Sequence, residues 1–309
     1  MGKRWESLKK YSSWRKISVG MWRPPNDPSI YGYETVDVSN LLPYLDEVSR
    51  VSGTKVTISA FCVKLTAEVF KRHPDLNVVM IGKKVRQRKN IDIFCQVAVA
   101  DETASEADLS GVKLTNADQM SLVEIAQRLT SRASDVRAGQ DAEMEKTKSM
   151  VDIVPPWLMG GVLKMVDFLT FNVPFDLDKM GIRSDPFGSA MVTSVGPFDI
   201  RHGFAPLVPA SRVPIVVLPG AVHKAPVVTE EGEVEARDAM NVCLTFDHRC
   251  YDGYQIGYFV RIMRDMLLNP TNYLPEPSHY GQPDSDGVQP PRPEDRDPED
   301  REIEAAPAE

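Results

Sequence analysis

The segment at residues 240–270, MNVCLTFDHRCYDGYQIGYFVRIMRDMLLNP, decides both the fold and the candidate chemistry of this chain. It begins as an apolar strand and ends as an amphipathic helix, because its later apolar residues recur at helical spacing. The turn between them, DHRCYDG, places one imidazole at a strand end, where the backbone is rigid. His248 is therefore a candidate general base, the role that histidine takes most often. The alternative is a solvated histidine in a polar turn.

Two neighbours of His248 in this turn are also candidates. Asp252 lies four residues after it, at the start of the predicted helix, where capping and the helix dipole favour a carboxylate. Cys250 could be a nucleophile, but a cysteine in such a position is more often a small buried residue.

The rest of the chain supplies further strands and helices in no regular β–α alternation, which predicts an α+β fold with helices packed on one large mixed sheet. Period-two alternation is clearest at 91–99, and helical spacing is clearest at 55–72, where Pro74 follows. Strands are also predicted at 33–38, 189–194, 215–218 and 239–246, and helices at 41–52, 121–138 and 254–268.

One catalytic domain is expected over residues 1–274, followed by a disordered tail at 275–309. The tail is rich in Pro, Asp and Glu and has almost no apolar content. Within the domain, residues 149–182 form an apolar insertion that is broken by Pro155, Pro156, Gly160 and Gly161. Its apolar stripe favours a packed helix, and a membrane contact is the less favoured interpretation.

Charge and cysteine content exclude several classes of function. The net charge of −8 arises in the tail, so the domain is neutral and has no basic footprint for nucleic acid. The four cysteines form no C-x-x-C pair, which argues against a zinc or redox site, and no metal site is predicted. The N-terminal residues lack an apolar signal region, and a cytoplasmic location is expected.

The sequence HRCYDG at 248–253 matches the H-x-x-x-D-G motif, and Asp247 extends it to DHR-x-x-DG. The chain thereby resembles the catalytic domain of the 2-oxoacid dehydrogenase acyltransferases, the dihydrolipoamide acyltransferases, within the superfamily of chloramphenicol acetyltransferase. Six further blocks resemble this family in the same order: WRKISVGM (14–21), YETVDVSNLL (33–42), KVTISAFCVKLTAEVFKRHPDLN (55–77), NIDIFCQVAVA (90–100), SAMVTSVGPFDI (189–200) and FAPLVPASRVPIVVLPGAVHKAPVV (204–228).

This resemblance implies a trimeric, chloramphenicol acetyltransferase-like fold and a coenzyme A-dependent acyltransferase. His248 would take the proton of the attacking thiol, of coenzyme A or of a dihydrolipoyl group. Thr193 would donate a hydroxyl hydrogen bond to the tetrahedral oxyanion, with Ser194 as the alternative. Neighbouring strand residues point to opposite faces, so only one of the two can do so. Asp252 would form a structural ion pair with Arg15.

The resemblance also implies a homotrimer with active sites shared between subunits, and possible assembly of trimers into a larger particle. Since residue 1 lies almost directly on the predicted domain, a lipoyl group is expected to be supplied in trans by a lipoyl-domain protein. The chain departs from the family at 101–120, which is more polar, and at the apolar insertion. Two alternatives stay open: an antibiotic-type O-acetyltransferase and a non-catalytic trimeric scaffold of a multienzyme complex.

Overall fold

The computed structural model describes residues 27–99, 108–137, 185–229 and 232–281, together with isolated positions 161, 165, 168 and 171. The strands are β1 (Ser29–Asp37), β2 (Val78–Ile81), β3 (Lys84–Gln87), β4 (Ile93–Val99), β5 (Asp108–Leu114), β6 (Ala190–Thr193), β7 (Ile215–Pro219), β8 (His223–Val228) and β9 (Val234–Asp247). The helices are α1 (Leu41–Ser52), α2 (Ile58–Arg72), α3 (Leu122–Arg137) and α4 (Gly253–Leu268). Arg15 and most of the expected insertion at 149–182 lie outside the described residues.

A seven-stranded mixed sheet forms the centre of the fold, with the strand order β1-β9-β7-β6-β4-β5 and with β8 paired to the first half of β9. The pairs β6–β7 and β4–β6 are parallel, and the other pairs in this sheet are antiparallel. Strands β2 and β3 form a separate hairpin. The α+β class predicted from the sequence is confirmed, as are the positions of its predicted strands and helices.

The helices cover one face of the sheet because each carries an apolar stripe. Val192, Val217 and Leu244, at the same level on β6, β7 and β9, are buried in one core with side chains of α2 such as Phe61 and Phe70. The alternate residues of these strands point to the opposite face, which we call the second face. There Met191 and Val216 pack in a smaller cluster with loop residues.

Strand β5 lies in the polar stretch at 101–120, where the sequence predicted no strand. It is the edge of the sheet and pairs with β4 alone among the described strands. An edge strand has a side without strand partners, so it tolerates polar residues that a central strand would not.

The chain re-enters the sheet at β6 through a close contact with the start of β4. Asp185 forms an ion pair with Arg88, and its carbonyl oxygen accepts a hydrogen bond from Lys113 Nζ at 2.9 Å. Gly188 follows with φ of 76°, and a Cβ atom there would lie 2.5 Å from the Asp92 carbonyl oxygen. Only glycine fits this approach without strain, and it sets the position of β6.

The packed body extends beyond the boundary expected at residue 274. A short 3₁₀ helix at Pro277–Gly281 packs on α1, and Tyr280 is buried. The Tyr44 hydroxyl donates to the Pro275 carbonyl oxygen at 2.9 Å. The described residues of the packed body therefore reach Gly281.

Within the described residues, no helix is both long enough and apolar enough to cross a membrane.

Candidate active site

The turn that carries His248 is held by backbone hydrogen bonds on both sides. At its start, Asp247 N–H donates to the Pro214 carbonyl oxygen at 2.8 Å, and His248 N–H donates to that of Pro28 at 2.9 Å. The N–H groups of Cys250 and Tyr251 both donate to the Asp247 carbonyl oxygen, at 2.9 and 3.1 Å. Paired backbone groups leave the turn little freedom, so it places its side chains reproducibly.

Asp247 and Arg249 close the turn with a second set of contacts. The Asp247 carboxylate is buried and accepts hydrogen bonds from the Arg249 backbone N–H, at 2.9 Å, and from its guanidinium, at 2.6 to 3.2 Å. This charge-assisted, two-pronged contact raises the pKa of Arg249 above its usual value. The DHR part of the motif is therefore a clamp on the backbone around the histidine.

The imidazole of His248 is exposed, and a backbone carbonyl orients it. Its Nδ1 lies 2.8 Å from the carbonyl oxygen of Tyr251, which can only accept a hydrogen bond. Nδ1 must therefore carry the proton, and Nε2 of the neutral ring keeps a lone pair. This is the tautomer that a general base requires.

Asp252 is the N-cap of α4. Its carboxylate accepts a hydrogen bond from Gln255 N–H at 3.0 Å, and the Gln255 side chain accepts one from Asp252 N–H at 3.0 Å, which completes a capping box. Among the described residues, no cation forms an ion pair with Asp252. Its predicted partner, Arg15, lies outside them, so the Arg15–Asp252 pair stays a prediction.

The two candidate oxyanion donors differ in their surroundings. The Ser194 hydroxyl donates to the Pro219 carbonyl oxygen at 3.4 Å and accepts from Gly196 N–H at 3.3 Å. Thr193, the last residue of β6, is half-buried and lies on the second face, since it alternates with the buried Val192. Its hydroxyl has no hydrogen-bond partner within the described part of the chain. Among the described residues, the Ser194 hydroxyl is thus engaged and the Thr193 hydroxyl is not.

His248 and Thr193 lie at opposite ends of the sheet within one chain. Val192 of β6 is level with Val217 of β7, which is level with Leu244 of β9, and β6 and β9 run in opposite directions. Thr193 therefore lies one residue from this level towards one end of the sheet, and His248 lies four residues from it towards the other end. Five residues along the strands, about 16.5 Å, and two strand spacings, about 9.6 Å, give a separation of roughly 19 Å. Both side chains of one subunit cannot reach a single tetrahedral centre.

Cys250 does not have the properties of a nucleophile. The residue is buried, and burial, followed by the charge of Asp247, raises the pKa of its thiol to about 11. The thiol is therefore protonated at neutral pH and packs as a small apolar group.

An open cavity of about 490 Å³ lies beside the turn. Its wall combines the Asp247–Arg249 clamp and Cys250 with Met80, Leu207 and Arg212. The sequence did not predict these last three residues, because they come from the β2–β3 hairpin and from the loop before β7. It also did not predict the part of Tyr251, whose carbonyl oxygen orients the histidine. No local pattern identifies a residue that acts through its backbone.

Among the described residues, no group of three or more His, Cys, Asp or Glu side chains could hold a metal ion.

Comparison with known families assigns the chain. The sequence model of the 2-oxoacid dehydrogenases acyltransferase (catalytic domain) matches residues 12–154 and 187–274. The chain belongs to this family. The match is interrupted between 154 and 187, a gap that overlaps the insertion expected at 149–182.

The relatives are acyltransferases of 2-oxoacid dehydrogenase complexes. The lipoamide acyltransferase component of the branched-chain alpha-keto acid dehydrogenase complex of Bacillus subtilis is 28% identical over 82% of this chain and 50% of its own length. A probable dihydrolipoyllysine-residue succinyltransferase component of the 2-oxoglutarate dehydrogenase complex of Schizosaccharomyces pombe is 23% identical over 75% of this chain and 41% of its own length. The chain thus spans about half the length of the curated relatives it matches.

Solved structures of related acyltransferases and of a multienzyme complex core share the fold of this chain. A probable dihydrolipoamide acetyltransferase from Listeria monocytogenes superposes with a TM-score of 0.57 at 20% identity, over 85% of this chain and 94% of its own. The cubic core of the pyruvate dehydrogenase multienzyme complex gives 0.58 at 18% identity, over 79% and 83%. These findings confirm the family resemblance and the fold, and they identify an acyltransferase catalytic domain.

Proposed function

We propose that this protein transfers an acyl group between coenzyme A and the thiol of a dihydrolipoyl group, with His248 as the general base. The main support for this role of His248 is the 2.8 Å contact between its Nδ1 and the Tyr251 carbonyl oxygen, because that contact leaves Nε2 free to take a proton. The family supplies the reaction class, and the named relatives include a lipoamide acyltransferase.

In this mechanism, the acceptor thiol gives its proton to Nε2 of His248 as its sulfur attacks the thioester carbonyl carbon. The carbonyl π electrons move onto oxygen, and the Thr193 hydroxyl donates a hydrogen bond to the resulting oxyanion. The tetrahedral intermediate then collapses and breaks the bond to the coenzyme A sulfur. That leaving thiolate takes the proton back from the imidazolium, which restores the neutral base.

The active site is proposed to form between two subunits of a homotrimer, with His248 from one chain and Thr193 from its neighbour. The separation of roughly 19 Å within one chain supports this arrangement, since the two groups must act on one centre. Thr193 also lies on the second face of the sheet, where a neighbouring subunit could reach it.

An aromatic cluster on the second face supports the same subunit contact. Tyr31 and Tyr33 of β1 are 50% and 56% exposed, and they pack edge-on against Phe204 and His202. Exposed aromatic side chains in one place are typical of protein interfaces. We propose that this cluster contacts the neighbouring subunit.

The lipoyl group is proposed to come from the lipoyl domain of another protein, within a larger assembly of trimers. We also place the protein in the cytoplasm. The support for a reducing compartment is that all four cysteines, which lie in the described part of the chain, are buried free thiols.

The test measures acyl transfer from acetyl-coenzyme A to dihydrolipoamide by the wild type and by His248→Ala. Loss of a general base should reduce turnover by ~10²–10⁴-fold, while calorimetric binding of coenzyme A persists because the substitution is confined to an exposed side chain. Wild-type turnover by His248→Ala would refute the proposed mechanism. A wild type that binds no coenzyme A would favour the scaffold alternative, and turnover with chloramphenicol in place of dihydrolipoamide would favour the antibiotic-type enzyme.

A further inference from the structure

The orientation of His248 depends on one carbonyl group, and the side chain of the same residue anchors that carbonyl. The Tyr251 side chain is buried, and its hydroxyl donates a hydrogen bond of 2.8 Å to the carbonyl oxygen of Leu76. Leu76 lies in the short 3₁₀ helix after α2, 175 positions away in the sequence. Tyr251 thus ties the catalytic turn to a different part of the fold.

We propose that Tyr251 is a positioning residue for acyl transfer: its buried hydroxyl holds the backbone carbonyl that keeps His248 in the base-competent tautomer. This inference rests on the proposed role of His248 as general base. Tyr251 itself does not touch the reacting atoms, because its hydroxyl is engaged inside the protein and its carbonyl contacts only the far side of the imidazole.

The physical argument concerns two hydrogen bonds in series. If the hydroxyl is removed, the Leu76 carbonyl oxygen is left buried without its donor, which is unfavourable, and an apolar ring beside it is pushed away. The ring and the Tyr251 backbone are joined through a single Cβ, so movement of the ring displaces the Tyr251 carbonyl. A hydrogen bond of 2.8 Å weakens steeply as its length and angle depart from the ideal.

Loosening of this contact changes which imidazole nitrogen carries the proton. Without a fixed acceptor beside Nδ1, the neutral ring also populates the form with the proton on Nε2, and that form cannot accept a thiol proton at Nε2. The wrong tautomer lowers the fraction of active sites that can react. The effect should therefore fall on kcat, while KM changes little because no substrate contact is lost.

The molecule offers a matched control in Tyr44. It too is a buried tyrosine whose hydroxyl donates to a backbone carbonyl, that of Pro275, at 2.9 Å. Tyr44 belongs to α1, and its hydrogen bond joins α1 to the segment at Pro275, away from the His248 turn. Tyr44→Phe and Tyr251→Phe thus remove the same kind of bond, but only the second removes it from the carbonyl that orients His248.

The experiment records imidazole ¹⁵N spectra of full-length protein with labelled histidine at about pH 8.5, where an ordinary imidazole is neutral. The His248 signals are identified by their loss in His248→Ala, and kcat and KM are measured on the same samples. We expect the wild type and Tyr44→Phe to show a proton on Nδ1 and equal kcat. Tyr251→Phe should show a mixture of tautomers and a kcat lowered about tenfold, which is less than the ~10²–10⁴-fold that loss of the complete general base costs.

Three outcomes overturn the proposal: a wild-type ring with its proton on Nε2, a Tyr251→Phe protein with wild-type tautomer and kcat, or an equal loss of kcat in Tyr44→Phe. Tyr251→Leu also lacks the hydroxyl, and the same tautomer and kcat are expected for it as for Tyr251→Phe. If one of these two variants folds poorly, the other still tests the proposal. The tautomer is measured without turnover. Failure of the proposal about Tyr251 is therefore distinct from failure of the proposed function, which is tested by the activity of His248→Ala.

Discussion

Mixing two inactive variants tests whether the active site is shared between subunits. His248→Ala and Thr193→Ala are each expected to be nearly inactive. Turnover should fall by ~10²–10⁴-fold in the first variant and by the ~10²–10³-fold cost of one oxyanion donor in the second. In each single variant, every interface lacks the same group. In a mixed trimer, some interfaces join an intact His248 of one chain to an intact Thr193 of the next.

The expected recovery follows from the geometry of a cyclic trimer. If the variants assemble at random from equal amounts, about one quarter of the interfaces combine both intact side chains. Activity should therefore return to about a quarter of the wild-type value, well above that of either variant alone. A site within one chain would give no recovery, but that arrangement requires the separation of roughly 19 Å along the sheet to close.

The assay refolds the variants together, uses two affinity tags to prove that mixed trimers have formed, and measures acyl transfer to dihydrolipoamide in the unsorted mixture. A control mixes the wild type with the double variant His248→Ala/Thr193→Ala: a shared site retains about one quarter of the activity and a site within one chain about one half. Absence of recovery in proven mixed trimers, together with one half in the control, would refute the shared site. So would an active monomer in light scattering.

Three further predictions concern single side chains. Ser194→Ala should be nearly silent in the transfer assay, because the Ser194 hydroxyl is engaged with the backbone of Pro219 and Gly196. Thr193→Ser should be mild because it keeps a hydroxyl, and a damaging Ser194→Ala would exchange the two roles. Burial raises the pKa of the Cys250 thiol to about 11, so alkylation by iodoacetamide should be slow at neutral pH and accelerate only as the pH approaches that pKa. Cys250→Ala should keep wild-type turnover. Rapid alkylation near pH 7 would contradict the buried, protonated thiol. A variant truncated after Gly281 should melt at the wild-type temperature. Tyr280→Ala should lower Tm by several degrees in scanning calorimetry, because loss of a buried aromatic side chain costs about 3 kcal/mol. An unchanged Tm would show that Tyr280 does not hold the segment Pro277–Gly281 on the body.

Local patterns were sufficient to predict the elements and the motif. The alternation at 91–99 and the helical spacing at 55–72 depend only on residues close in sequence, and both elements form where they were predicted. The strand at β5 was missed because an edge strand need not be apolar on either face. The order of blocks around HRCYDG was enough to predict the family, since each block keeps its own periodicity and spacing.

The sequence alone therefore determined the fold class, the family and the identity of His248 as candidate base, because these depend on local periodicity and on motif spacing. The tertiary structure alone decided how the site is arranged. It placed Thr193 and His248 at opposite ends of the sheet, set the Tyr251 carbonyl beside Nδ1, and packed Tyr280 on α1. The first and the last of these join residues far apart in the chain, and the Tyr251 carbonyl belongs to a residue whose side chain bonds the distant Leu76. Strand register and long-range packing create such relations.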